Sequence, residues 1–302
     1  MKIAYLILAH HQPAMLARLI RSLGSTGAKF FIHLDRRAAL RPFIDKTGNP
    51  PATVFLQDAD RKIVNWGGFS QVAATLNLIN AARRDGGFDR FCFLSGADYP
   101  IKPLSHIISA FASDDEFIQI QRRLVPQGGM TFEIRANRIF LGDHPFTNPR
   151  TGPKLITSIL GGIERRLPRE FPAGITLYYG LNWWCLTSPA IEAIFRAMQS
   201  EPAFTSWCRR TLSSDEIFFQ TLIKKTEFAS KVLYEYDAKT QQPGEIFNAM
   251  HYIDWWNGNP TVPRILEIED LPALRATGAL FARKFDEARS APLLDAIDAM
   301  RR

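Results

Sequence analysis

The 302-residue chain has only three cysteines, Cys92, Cys185 and Cys208. They lie far apart, without CxxC or metal-type spacing, and an odd count makes a poor disulfide framework, so a reducing cytoplasm is the expected location. Long apolar runs are also missing. The opening MKIAYLILAHH places seven apolar residues after a single lysine, and Gln12-Pro13 then opens a helical pattern. It reads as a first buried strand, not a signal peptide. Nothing approaches the roughly eighteen uninterrupted apolar residues of a membrane span, which leaves a soluble protein or one peripheral to a membrane. GxxxxGK[ST], GxGxxG after a strand, GxSxG and HExxH are all absent, so P-loop hydrolase, dehydrogenase, esterase and zinc-protease readings lack support.

The chain is 46% apolar and 22% charged, which excludes disorder, collagen and coiled coil. Thirty-seven Lys and Arg against thirty Asp and Glu give a net charge of +7, favouring anionic partners. The basic residues are scattered and no nucleic-acid motif occurs, so nucleic acid is not expected. Ile3–Ala9, Lys29–Leu34, Thr53–Leu56 and Arg90–Leu94 read as buried strands. Helical spacing marks Met15 to Leu23, Val72 to Ala82 and Ile191 to Met198. This alternation predicts an α/β fold with parallel strands, whose ligand crevice lies at the strands' carboxyl ends. Segment 126–153 lacks clear rhythm and reads as a binding loop. We treat 1–302 as one domain with a nucleotide-binding half, 1–125, and an acceptor-binding and catalytic half, 126–302.

Several side chains carry candidate chemistry. Ser213-Ser214-Asp215-Glu216 before an apolar run is a capping-box pattern, or else a carboxylate presented at a helix start as a general base. Asp58-Ala59-Asp60 matches a metal-holding DxD, although turn aspartates are the simpler reading. His10 and His11 end the first strand and Asp35 follows the second, positions suited to a nucleotide. Trp66-Gly67-Gly68, Trp183-Trp184 and Trp255-Trp256 offer aromatic faces for a sugar or base, or for the core. Arg264, Arg275, Arg283 and Lys284 supply cations that could clamp phosphates. The apolar stripe Leu293, Leu294, Ile297 and Met300 reads as core.

Taken in order, AYLILAHHQPAMLARLIRSL, FFIHLDRRA, VNWGGFSQVAATLNLINAA, FDRFCFLSGADYPIKPL, YYGLNWWCLT, SSDEIFFQTLI, GNPTVPRILEIEDLPAL and LFARKFD resemble glycosyltransferase family 14. This family comprises the core-2/I-branching β-1,6-N-acetylglucosaminyltransferases and the peptide O-xylosyltransferases. The resemblance implies a GT-A fold and inverting transfer from a UDP-sugar to a glycan hydroxyl. It also implies no cofactor and no divalent metal. Glu216 is then the catalytic base, and Arg264 and Lys284 hold the diphosphate. His10, His11, Asp35, Trp66 and Asp98 surround the nucleotide; Asn182, Trp183, Trp184 and Trp255 face donor or acceptor sugars. Two departures bear on it. Asn182 stands where the xylosyltransferase branch carries Asp, and neither paired cysteines nor a membrane anchor is present. A bacterial cytoplasmic enzyme, peripheral to the inner membrane and building a surface glycan from UDP-GlcNAc, fits best. UDP-xylose or UDP-glucuronate is the alternative donor, and a non-catalytic nucleotide- or glycan-binding module is the alternative of another class.

Overall fold

Along β1 (Ile3–Ala9), side chains alternate between two apolar layers: Ile3, Tyr5, Ile7 and Ala9 enter one core, Ala4 and Leu6 the other. A near-continuous apolar strand needs cover on both faces, and helices supply it. The computed structural model describes residues 1–48, 50–129, 131–236, 249–255 and 263–301. Trp256 and the Gly258–Val262 part of GNPTVPRIL therefore lie outside the described residues.

Further strands follow in chain order: β2 (Ala28–Leu34), β3 (Thr53–Phe55), β4 (Arg90–Ser95), β5 (Asp98–Pro100), β6 (Glu116–Ile120) and β7 (Arg122–Arg123). After these come β8 (Tyr178–Tyr179), β9 (Trp184–Thr187), β10 (Val232–Glu235), β11 (His251–Ile253) and β12 (Phe281–Arg283). The main sheet runs β10-β6-β9-β4-β1-β2-β3. Strands β1, β2, β3 and β4 are mutually parallel, whereas β9 is antiparallel to both β4 and β6. The sheet is mixed, and the expected α/β class holds. A second sheet, β11-β12-β5, stands where β4 passes through Ser95-Gly96-Ala97 into β5.

The topology positions the site. Strand β1 has β2 on one side and β4 on the other, so the chain order reverses between β1 and β4, and a crevice opens at their carboxyl ends. His10-His11, Asp35 and Ser95–Asp98 all leave the sheet at that edge. The helices Pro13–Leu23 and Ser70–Asp85 match the expected ones and bury the stripes that face the sheet. Leu293, Leu294 and Ile297 of the helix Ala291–Met300 are core, and Arg18 joins that helix to the first one through Asp295 and Asp298. All three cysteines are buried and free. Within 126–153, expected to be irregular, Thr131–Ala136 is a short helix. Among the described residues, no helix is long and apolar enough to cross a membrane.

Candidate active site

The turn Ser214–Glu216 carries the first cluster. The structure corrects the capping box: Ser213 adopts a left-handed backbone (φ 56°), its side chain caps nothing, and the α-helix begins only at Phe218. The amide of Ser213 instead donates to the carbonyl of Gly67 at 2.7 Å, and Gly67 itself needs a positive φ of 73°. That bond ties the SSDE turn to the Trp66-Gly67-Gly68 loop. On the other flank the Gly180 amide donates to the Glu216 carbonyl at 3.0 Å, and a Cβ at Gly180 would lie 1.9 Å from the Gln119 carbonyl oxygen.

Two carboxylates result. Asp215 is buried, and its Oδ2 accepts from Gln71 Nε2 at 2.5 Å and Asn182 Nδ2 at 2.6 Å, while its Oδ1 has no partner among the described residues. Burial pushes Asp215 up to about 6 against the hydrogen bonds from Asn182 and Gln71. Glu216 is pushed up to about 8, first by burial and then by the charge of Asp215; Arg135 and a hydrogen bond with Tyr179 pull the other way. Tyr179 is held by stacking on Phe132, with centroids 3.9 Å apart. The pair shares a proton at neutral pH, so Glu216 can both take and return one near that range.

A cationic cluster lies at the crevice. Arg150 stacks over Trp66 at 3.8 Å from the ring centroid, and the Trp66 carbonyl accepts from Asn148 at 2.9 Å. Lys284 is depressed by burial and then by the neighbouring charges of Arg283 and Arg150, with Asp286 opposing. Among the described residues its ammonium makes no ion pair. His10 is lowered to about 4 by burial and His11, and by Lys284 and Arg37, against Asp35. It is therefore neutral at pH 7, with its ring 4.0 Å from that of His11. Lys284 thus lies within electrostatic reach of His10 and of Arg150, which in turn covers Trp66, a positively charged neighbourhood that suits an anion.

Four expected residues are placed differently. Arg264 is not a free cation: Asp254 takes its Nε at 3.0 Å and its Nη2 at 2.9 Å, and Asp270 pairs with the same Nη2. Asp35 receives the Arg37 amide and Nε on one oxygen, and Arg37 Nη2 and the Val64 amide on the other, so its acceptor positions are filled. Asp98 is fully buried and receives the amide and hydroxyl of Ser95, with His251 Nε2 3.2 Å away and Arg283 Nε 3.6 Å away. Burial raises it, but Arg283, His251 and Ser95 leave it below the usual carboxylate value. With no exposed surface, its carboxylate faces these neighbours and not the open crevice. Trp184 is fully buried between Phe93 and Phe219 and belongs to the core.

Trp183 is half-buried against Phe93, and Arg283 lies 4.0 Å over its ring. Asn182 touches Asp215, as described, and Trp255 is half-buried with a buried indole nitrogen lacking a partner among the described residues. Asp58 and Asp60 occupy a turn, with Arg61 on the first and Arg84 on the second, as the turn reading expects. Sequence reasoning missed Gln71, Arg135, Arg150 and Tyr179, and gave Asp215 no role. Gln71, Tyr179 and Asp215 fall inside the matched segments and could have been found there; Arg135 and Arg150 lie in the stretch without rhythm.

The family model described as Core-2/I-Branching enzyme matches residues 3–275. A beta-glucuronosyltransferase of Arabidopsis thaliana is 25% identical over 99% of this chain and 65% of its own length. Xylosyltransferase 2 of Rattus norvegicus is 23% identical over 98% of this chain and 33% of its own. A beta-1,3-galactosyl-O-glycosyl-glycoprotein beta-1,6-N-acetylglucosaminyltransferase of Bos taurus is 23% identical over 94% and 66%. The chain thus spans from a third to about two thirds of the length of these relatives. A solved galactosyltransferase with donor and acceptor sugar analogues overlays 99% of this chain and 95% of that one, with 9% identity and a TM-score of 0.43.

Proposed function

The chain belongs to the Core-2/I-branching enzyme family and has the α/β, GT-A type fold that goes with it, and from that premise we propose that it is an inverting, metal-independent UDP-sugar glycosyltransferase. The observation that carries this reading is the Asp215–Glu216 pair, a raised carboxylate joined through the Ser213–Gly67 bond to the loop bearing Trp66. Glu216 takes the proton of the acceptor hydroxyl while that oxygen attacks the anomeric carbon, and the bond to UDP breaks on the opposite face. Lys284 meets the charge that develops on the departing diphosphate, the task a metal performs elsewhere. Arg264 serves by holding Asp254 and Asp270, and Asn182 by satisfying Asp215.

UDP-GlcNAc is the donor this reading takes first, with transfer to a glycan hydroxyl. UDP-glucuronate is the second, favoured by the Arabidopsis relatives and by the cations Arg283 and Arg150 beside Lys284, which can meet a sugar carboxylate. Calorimetric titration of UDP in EDTA tests the cation assignment. Lys284→Met is expected to weaken binding by about tenfold or more, as loss of a charged contact does, whereas Arg264→Met leaves UDP affinity within about threefold in the protein that remains folded. Equal affinity in the wild type and Lys284→Met overturns the assignment.

A further inference from the structure

The helix Lys154–Glu164 carries its apolar stripe on the outside. At 100° per residue, Leu155, Ile156, Ile159 and Ile163 share one face, with Thr157, Gly161 and Glu164 on the other. The polar side turns inward: the Glu164 carboxylate accepts from the Leu141 amide at 2.7 Å. None of the helix residues is buried, and Leu155 is 74% exposed and Ile159 55%. Phe146, in the loop before the helix, is also 64% exposed, and its carbonyl lies against Gly152. A helix with this orientation leaves an apolar surface uncovered, which soluble faces avoid.

Charge identifies the cover. Residues 150–169 contain five Arg or Lys and a single acid, Glu164, which is turned inward. Lys154, Arg165 and Arg166 are exposed at the two ends of the stripe. A second copy seated on the same face would set these like charges against one another, whereas an anionic bilayer complements them. We propose that this helix is an interfacial anchor. Its apolar stripe enters the boundary between headgroups and acyl chains, and the three cations meet lipid phosphates. The loop before it holds the active site close to the lipid surface, since Asp143 binds Ser70, Asn148 binds the Trp66 carbonyl and Arg150 stacks on that ring. The proposal does not depend on the transferase reading, because its test reads binding alone.

Flotation of the full chain with vesicles of phosphatidylglycerol and phosphatidylcholine, against phosphatidylcholine alone, tests it. The wild type is expected to float with the anionic vesicles and to be released by salt. Lys154→Gln/Arg165→Gln/Arg166→Gln is expected to lower partitioning about fivefold per cation. Leu155→Ser/Ile159→Ser is expected to lower it by about tenfold or more. Both variants keep the wild-type melting temperature, since the altered side chains are exposed. No binding of the wild type to anionic vesicles overturns the proposal, as does equal binding by the variants. A dimer in velocity sedimentation that Leu155→Ser/Ile159→Ser disperses overturns it in favour of a second copy.

Discussion

Replacing Glu216 by glutamine should damage catalysis and strengthen the fold at once. The glutamine amide keeps the shape and can still accept from Tyr179, but it cannot take a proton, so sugar transfer should fall by about two to four orders of magnitude. Stability moves the other way. The native carboxyl titrates at about 8 against an ordinary value of 4.5, so the folded protein binds the extra proton between these limits and loses stability as pH rises through them. At about 1.4 kcal/mol for each unit, the ceiling is about 5 kcal/mol above pH 8. Solvent reaching the half-buried side chain screens this to about 2 kcal/mol, or about 3 °C in melting temperature for a chain of this size. Differential scanning fluorimetry of both proteins from pH 4 to pH 9 reads the effect. The curves should coincide near pH 4 and separate progressively to pH 8, with the variant higher. A variant that melts lower at every pH, or transfers sugar within tenfold of wild type, refutes the argument.

Other outcomes follow from the same geometry. With Asp215 at about 6 and Glu216 at about 8, kcat/KM should rise with pH as the shared proton is lost and level off near pH 8; a flat profile between pH 5 and 9 contradicts the pair. Asn182→Ala removes a 2.6 Å donor from Asp215 and should cut kcat more than KM, by about tenfold, while steepening the pH profile. Arg264→Met leaves Asp254 and Asp270 without their cation and should lower the urea midpoint, at a cost of about 1–3 kcal/mol, as equilibrium denaturation would measure. An unchanged midpoint would return Arg264 to the binding site.

The elements read best from sequence were those whose pattern is set locally. Ile3–Ala9 is apolar on both faces because the sheet is covered on both, and the stripe from Val72 to Ala82 repeats at helical spacing. The turn at Ser213 was misread because a capping box looks the same on paper; its left-handed backbone is imposed by a bond to Gly67, far away in the chain. Trp183 and Trp184 are neighbours on one strand end, so one faces the crevice and the other the core, a distinction composition cannot make. Arg264 and Asp35 were credited with free charge, and only the structure shows partners already on them. Arg150 and Arg135 reach the site from an irregular stretch, where no periodicity announces which side chain points inward.

The most direct test is a UDP-release assay with UDP-GlcNAc, UDP-glucuronate and UDP-xylose in EDTA, run on the wild type and on Glu216→Gln. One donor should be consumed by the wild type, EDTA should make no difference, and the variant should bind UDP yet release none above background. Turnover that requires a divalent metal, or equal turnover by both proteins, would contradict the proposed mechanism.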